Sequence, residues 1–126
     1  MNNKNYYNLE NRTTEFGEQV VMLCKEISLD WINKPIINQL IRSSTSIGAN
    51  YMEANGASSD KDFRNKIFIC KKEIQETKHW LRLLLKCTPN RKDEILQLST
   101  ECHELILIFS KACSTLNKKL VEKIIT

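Results

Sequence analysis

Two apolar stripes with a seven-residue period constrain this chain more than any other feature. Phe63, Ile67, Cys70, Ile74, Thr77, Leu81 and Leu84 follow one another at alternating steps of four and three. Ile95, Leu98, Cys102, Leu105, Phe109, Ala112 and Leu116 do the same. Steps averaging three and a half residues keep one face of an α-helix turned to a partner, whereas a strand needs strict alternation. Each stripe is the seam of a coiled-coil-like bundle. Thr88-Pro89-Asn90 separates the two, so the helices that carry them fold back on each other. Only three Gly and two Pro punctuate the 126 residues, which leaves room for few and short loops. The fold expected is all-α, an antiparallel up-and-down four-helix bundle.

The rest of the chain supplies the other two helices. Residues 1–13 are polar, rich in Asn and without periodicity, and read as a flexible N-terminal arm ahead of a single domain over 14–126. Thr13 or Thr14 caps a first helix over about 14–29, with Phe16, Val20, Leu23 and Ile27 as its stripe. Asp30 to Lys34 turn the chain, and Pro35 opens a second helix over about 35–54. Asn55-Gly56 stops it, with Gly expected in the left-handed conformation. Ser58 or Ser59 caps the third helix over about 60–87, and Asp60 and Asp62 sit at its positive end. The fourth runs over about 91–124, its stripe prolonged by Leu120 and Ile124.

Composition excludes several classes. A hydrophobic share of 41% against 27% charged residues describes a chain that buries a core, not a disordered one. The longest uncharged stretches, Ser43–Met52 and Leu105–Ser110, are too short to span a bilayer, and the first residues lack the apolar run of a signal peptide. A cytoplasmic protein without membrane contact is the expectation. The five cysteines are odd in number and never spaced C-x-x-C, so reduced, buried thiols are expected instead of disulfides or a metal knuckle.

The net charge of +4 is concentrated in one place. Residues 61–86 carry eight basic side chains against three acidic ones. Arg64, Lys71 and Lys78 lie seven apart, with Lys61 and Arg82 beside that line and Lys72, His79 and Lys86 on the next row. These cations form one side of the third helix, opposite its seam. Such a row can neutralise phosphates and release counterions, which gives affinity for RNA or DNA without reading sequence. The simpler alternative is a solvated face of a mildly basic protein.

The segment Arg42-Ser-Ser-Thr-Ser-Ile-Gly-Ala-Asn-Tyr-Met-Glu-Ala-Asn55 is crowded with small residues whose helix propensity is weak, so packing must hold it. Little side chain there lets another helix approach closely. Arg42, on the helix antiparallel to the third, is expected to meet Glu73 or Glu76. With Asn50, Glu53 and Trp80 these residues read as a polar network that fixes helix register or a subunit contact.

Three runs carry a family signature: Gln39-Leu-Ile-Arg-Ser-Ser-Thr-Ser-Ile-Gly-Ala-Asn-Tyr-Met-Glu-Ala54, Ser59-Asp-Lys-Asp-Phe63, and Lys71-Lys-Glu-Ile-Gln-Glu-Thr-Lys-His-Trp-Leu81. Over about residues 14–116 the chain resembles the bacterial four-helix bundle proteins related to the 23S rRNA intervening-sequence proteins. That resemblance implies an up-down bundle assembled into a ring-shaped homopentamer. It also implies a nucleic-acid role, since a relative of the fold, the accessory protein of diversity-generating retroelements, is linked to nucleic-acid binding. Asn50, Glu53, Glu76 and Trp80 match the family's characteristic positions.

Enzymatic readings are weaker. Glu76-Thr-Lys-His79 has the spacing of a di-iron bundle ligand pair, but a full site needs a second pair and two more carboxylates. Cys102 abuts His103, and adjacent helical positions point about 100° apart, which forbids a working dyad. No Gly-rich phosphate loop is present. The expectation is a non-enzymatic homo-oligomer without metal or cofactor, which binds RNA or DNA through Lys61, Arg64, Lys71, Lys72, Lys78 and Arg82. The alternative is a scaffold that binds another protein.

Overall fold

The computed structural model describes residues 8–125. Four helices follow in order: α1 (Leu9–Lys25), α2 (Asn33–Asn55), α3 (Asp60–Cys87) and α4 (Lys92–Ile125), with a 3₁₀ turn at Pro89–Arg91 between the last two. Every sequential pair is antiparallel. Gly17 of α1 lies against Ser44 of α2 while Thr14 lies against Gly48. Arg42 and Glu53 of α2 reach Glu76 and Lys66 of α3. Lys78 and Asp60 of α3 meet His103 and Lys123 of α4. α4 returns beside α1, closing an up-and-down four-helix bundle.

The third and fourth helices carry their seams as the spacing requires. Ile67, Cys70, Ile74, Thr77, Leu81 and Leu84 are buried, as are Ile95, Leu98, Cys102, Leu105 and Phe109. Near the end of α4 the inward position passes from Ala112 to Cys113. A straight helix drifts about 20° per heptad against a strict seven-residue repeat, and that drift accounts for the change. Ser59 caps α3, its side chain accepting from the Asp62 amide at 3.1 Å.

Three boundaries differ from expectation. α1 starts at Leu9, not Thr14, and ends at Lys25, not near residue 29. Leu9 and Thr13 are buried and continue the stripe of Phe16, Val20 and Leu23 at steps of four and three. Thr13 is therefore a core residue, its hydroxyl donating to the Leu9 carbonyl at 2.7 Å, and Asn8 precedes the helix without a side-chain cap. Of the expected arm, residues 1–7 lie outside the described residues. Asp30 supplies the start of α2: its carboxylate accepts from the Ile32 and Asn33 amides at 2.8 and 2.7 Å, and the Asn33 side chain accepts from the Asp30 amide. Gly56 ends α2 at φ −96°, ψ 11°, a conformation open to any L-residue, so the stop does not use a left-handed glycine.

The small residues of α2 are spent on α1. A Cβ placed on Gly17 would stand 3.3 Å from the Ser44 carbonyl oxygen, and one on Gly48 would stand 3.3 Å from the Thr14 hydroxyl. The hydroxyls in this tight seam find acceptors inside their own helix. Ser44 donates to the Ile41 carbonyl at 3.3 Å and Thr45 to the same carbonyl at 2.7 Å. Across the α2–α3 seam, the Thr77 hydroxyl lies 2.8 Å from both the Ser43 hydroxyl and the Glu73 carbonyl, its one proton serving either. Buried thiols add further ties. Cys70 Sγ lies 3.6 Å from the Ile47 carbonyl, and Cys102 Sγ lies 3.3 Å from the Ile74 carbonyl. Among the described residues no helix is long and apolar enough to cross a membrane.

Two predictions follow from this packing. Gly48→Val and Gly17→Val should each destabilise the fold by about 1–3 kcal/mol through overpacking. Gly56→Ala should instead stabilise it by about 0.4–1 kcal/mol, because its nearest foreign atoms would be 3.9 Å away and only unfolded-state freedom is lost. Urea midpoints check all three, and a loss of stability in the Gly56 variant would contradict the observed backbone.

Burial also makes the thiols pH markers. It pushes Cys24 up to about 11 and Cys70 and Cys102 up to about 12, from an ordinary value of 9.0. Above pH 9 the unfolded chain releases thiol protons that the native state retains. Stability present below pH 9 should therefore fall as pH rises toward 12. Denaturant midpoints measured across that range should drop, and replacing Cys70 by Ala should flatten the slope.

Candidate nucleic-acid interface and the polar edge of α3

The seam of α3 divides its polar residues into two flanks with different electrostatics. The flank toward α2 carries Lys66, Glu73, Glu76 and Trp80. The outward side and the flank toward α4 carry the expected cations. Lys61, Lys72, Lys78 and Arg82 are exposed, and Arg64 and Lys71 are half-buried. The Arg64 guanidinium lies 5.9 Å from the centroid of the Phe68 ring, a cation–π contact one turn along the helix. Lys78 Nζ is 3.4 Å from His103 Nδ1. Lys72 leans back to Glu73 at 3.8 Å. Among the described residues no carboxylate comes within 4.0 Å of Lys61, Arg64, Lys71, Lys78 or Arg82.

The flank toward α2 is neutralised internally. Arg42 Nη1 meets Glu73 at 3.2 Å, Arg42 Nη2 meets Glu76 at 2.7 Å, and Arg42 Nε donates to Gln39 at 2.9 Å. Glu73 is only 8% exposed at its side chain, so the guanidinium compensates a nearly buried charge. Asn50 and Glu53 do not join this cluster. Asn50 donates to the Ser46 carbonyl of its own helix at 2.8 Å, and Glu53 pairs with Lys66 at 2.6 Å. The antiparallel register explains the split, because positions 53 and 42 of α2 face α3 about three helical turns apart. Trp80 packs at the core edge. Its indole Nε1 is buried without a partner among the described residues, and its ring lies edge-on to His79 at 4.9 Å. Trp31, in the α1–α2 turn, is 84% exposed, while Tyr51 makes an edge contact with Phe109 at 5.8 Å.

The residues that suggested chemistry are drawn apart. Glu76 is engaged by Arg42, and His79 lies against Trp80. Among the described residues no three His, Cys, Asp or Glu side chains converge as a metal site. Cys102 is fully buried while His103 is exposed, so the two do not meet.

Several important residues were not legible from spacing. Arg12 of α1 forms a two-pronged pair with Glu101 of α4 at 2.7 and 2.8 Å. Arg91 joins Glu26 and Glu94 at the opposite end of the same seam. Lys119 and Lys123 of α4 stand beside Lys61 and Arg64 and add to the cationic side. Each of these depends on which helix ends are neighbours. The four-residue step between the two lysines was the one local signal.

Known proteins place the chain. A solved structure from Bacteroides thetaiotaomicron, a protein of unknown function from the S23 ribosomal protein family, is 30% identical with a TM-score of 0.71. The similarity covers 82% of this chain and 96% of that one. No curated protein matches the chain. The family model described as 23S rRNA-intervening sequence protein matches residues 7–111. With the fold and most of its length in common, the chain belongs to the 23S rRNA-intervening sequence protein family.

Proposed function

We propose that this protein is a non-enzymatic, cytoplasmic homo-oligomer, a pentameric ring as the resemblance implies, that binds nucleic acid through the outward side of α3. One observation carries the binding: among the described residues Lys61, Arg64, Lys71, Lys78 and Arg82 have no carboxylate within 4.0 Å and Lys72 reaches Glu73 only at 3.8 Å, while Arg42 and Lys66 on the other flank are closely paired. An unpaired row keeps its full attraction for phosphate, and Arg64, Lys71 and Lys78 repeat about every 10 Å at 1.5 Å per residue. The non-enzymatic reading rests on the engagement of Glu73, Glu76 and His79 in structural contacts. The family takes its description from intervening sequences of 23S rRNA, which makes structured RNA the first polynucleotide to try.

A second reading, a scaffold that docks another protein, is favoured by the end of α4. Val121, Ile124 and Ile125 are 53%, 76% and 77% exposed there, an aliphatic surface with no use in phosphate binding.

Anisotropy of labelled structured RNA should weaken log-linearly with salt. The Arg64→Glu, Lys71→Glu, Lys78→Glu triple variant should lose that binding and leave the assembly intact. Absence of binding at low salt would leave the scaffold reading in its place. Light scattering after size exclusion should return a mass five times that of the 14.7 kDa chain, and a monomer mass would refute the ring.

A further inference from the structure

The cationic side of α3 does not end on a flat surface. At its first turn a groove of about 560 Å³ opens between α3 and the last turns of α4. Phe63 from α3 and Leu116 and Leu120 from α4 form an apolar floor. Lys61 and Arg64 stand on one wall, Lys119 and Lys123 on the other. Against these four cations the groove holds one carboxylate, Asp60, which Lys123 meets at 3.3 Å. Positive charge is in clear excess.

This pairing of surfaces narrows the ligand. An apolar floor gains nothing from a bare phosphate, and a ring of cations gains nothing from a neutral apolar group. A ligand that uses both has a flat apolar face and negative charges close on either side. Arg64 belongs both to the groove and to the line that continues through Lys71 and Lys78. A polyanion tracking that line therefore passes the mouth of the groove.

Resting on the nucleic-acid reading above, we infer that this groove takes an unpaired nucleobase. Its face lies over Phe63, Leu116 and Leu120, with the flanking phosphates on Lys61, Arg64, Lys119 and Lys123. The substrate class is then single-stranded nucleic acid, or a single-stranded loop of a folded RNA. In a duplex both faces of each base are already stacked and cannot reach the floor. Electrostatics alone points the other way, because a duplex carries the higher charge density and releases more counterions. A preference for the single strand thus reports the apolar floor and not the cations.

Three probes of equal strand length separate the contributions: a single-stranded oligonucleotide, the same strand with abasic sites, and its duplex. The base-bearing single strand should bind about tenfold more tightly than the abasic strand, and more tightly than the duplex. Leu120→Gln should remove that advantage while circular dichroism stays unchanged, since Leu120 is already 38% exposed. Lys71→Glu, outside the groove, should weaken all three probes alike. Equal affinity for the abasic and base-bearing strands, or a preference that survives Leu120→Gln, overturns the groove and leaves the basic row standing. Failure of all three probes to bind at low salt overturns both.

Discussion

Everything in this bundle depends on α2 remaining helical while two neighbours press against it. Its middle is built from Ser43, Ser44, Thr45, Ser46 and Gly48, residues that hold a helix poorly in isolation. The same smallness lets α1 come near enough for Gly17 to touch the Ser44 carbonyl. Larger side chains would restore helix propensity and push α1 away. Intrahelical hydrogen bonds from Ser44 and Thr45 make the arrangement tolerable, because polar groups enter a tight seam already satisfied. On its other side α2 presents Ser43 and Ile47 to Thr77 and Cys70 of α3. The register of α1 and the register of α3 are both taken from this one helix.

The division of charge on α3 follows from that register. Side chains on the flank against α2 meet ionised partners there and are neutralised: Glu73 and Glu76 by Arg42, Lys66 by Glu53. Side chains turned away from α2 meet α4, which offers His103 and the lysines at 119 and 123 but no carboxylate close to Lys71 or Lys78. A helix with eight cations and three anions thus keeps its surplus on a single side. Net charge alone would not have revealed that; the asymmetry is a product of packing.

Much of the fold was legible because its signals are local and periodic. The seams of α3 and α4, the Ser59 cap and the line of cations all follow from positions within one helix. The start of α1 was missed although Leu9 and Thr13 extend the stripe, because a polar stretch surrounds Leu9 and Thr13 looks like a cap. Gly56 was misread for a related reason: Asn-Gly is a frequent left-handed stop, yet the Gly56 amide reaches the Met52 and Glu53 carbonyls, and the Ala57 amide the Ala54 carbonyl, without one. The candidate polar cluster was legible at Arg42, Glu73 and Glu76 and not at Asn50 or Glu53. Which α2 position faces which α3 position is set by the length of the 56–59 turn and the close packing, not by composition.

The α1–α4 seam is the most thinly packed of the four, and it is held at its two ends by Arg12 with Glu101 and by Arg91 with Glu26. The other seams are zipped by apolar side chains along their length, whereas this one is clasped. Clasps of partly exposed ions weaken with ionic strength, and aliphatic zippers do not. The barrel of helices therefore has a built-in lengthwise slit. Phe16, Val20 and Leu23 still anchor α1 in the core from the other side of that slit. The salt of the medium thus acts on how firmly the two ends of α1 are fastened to α4 and the turn before it, and leaves its apolar anchorage alone.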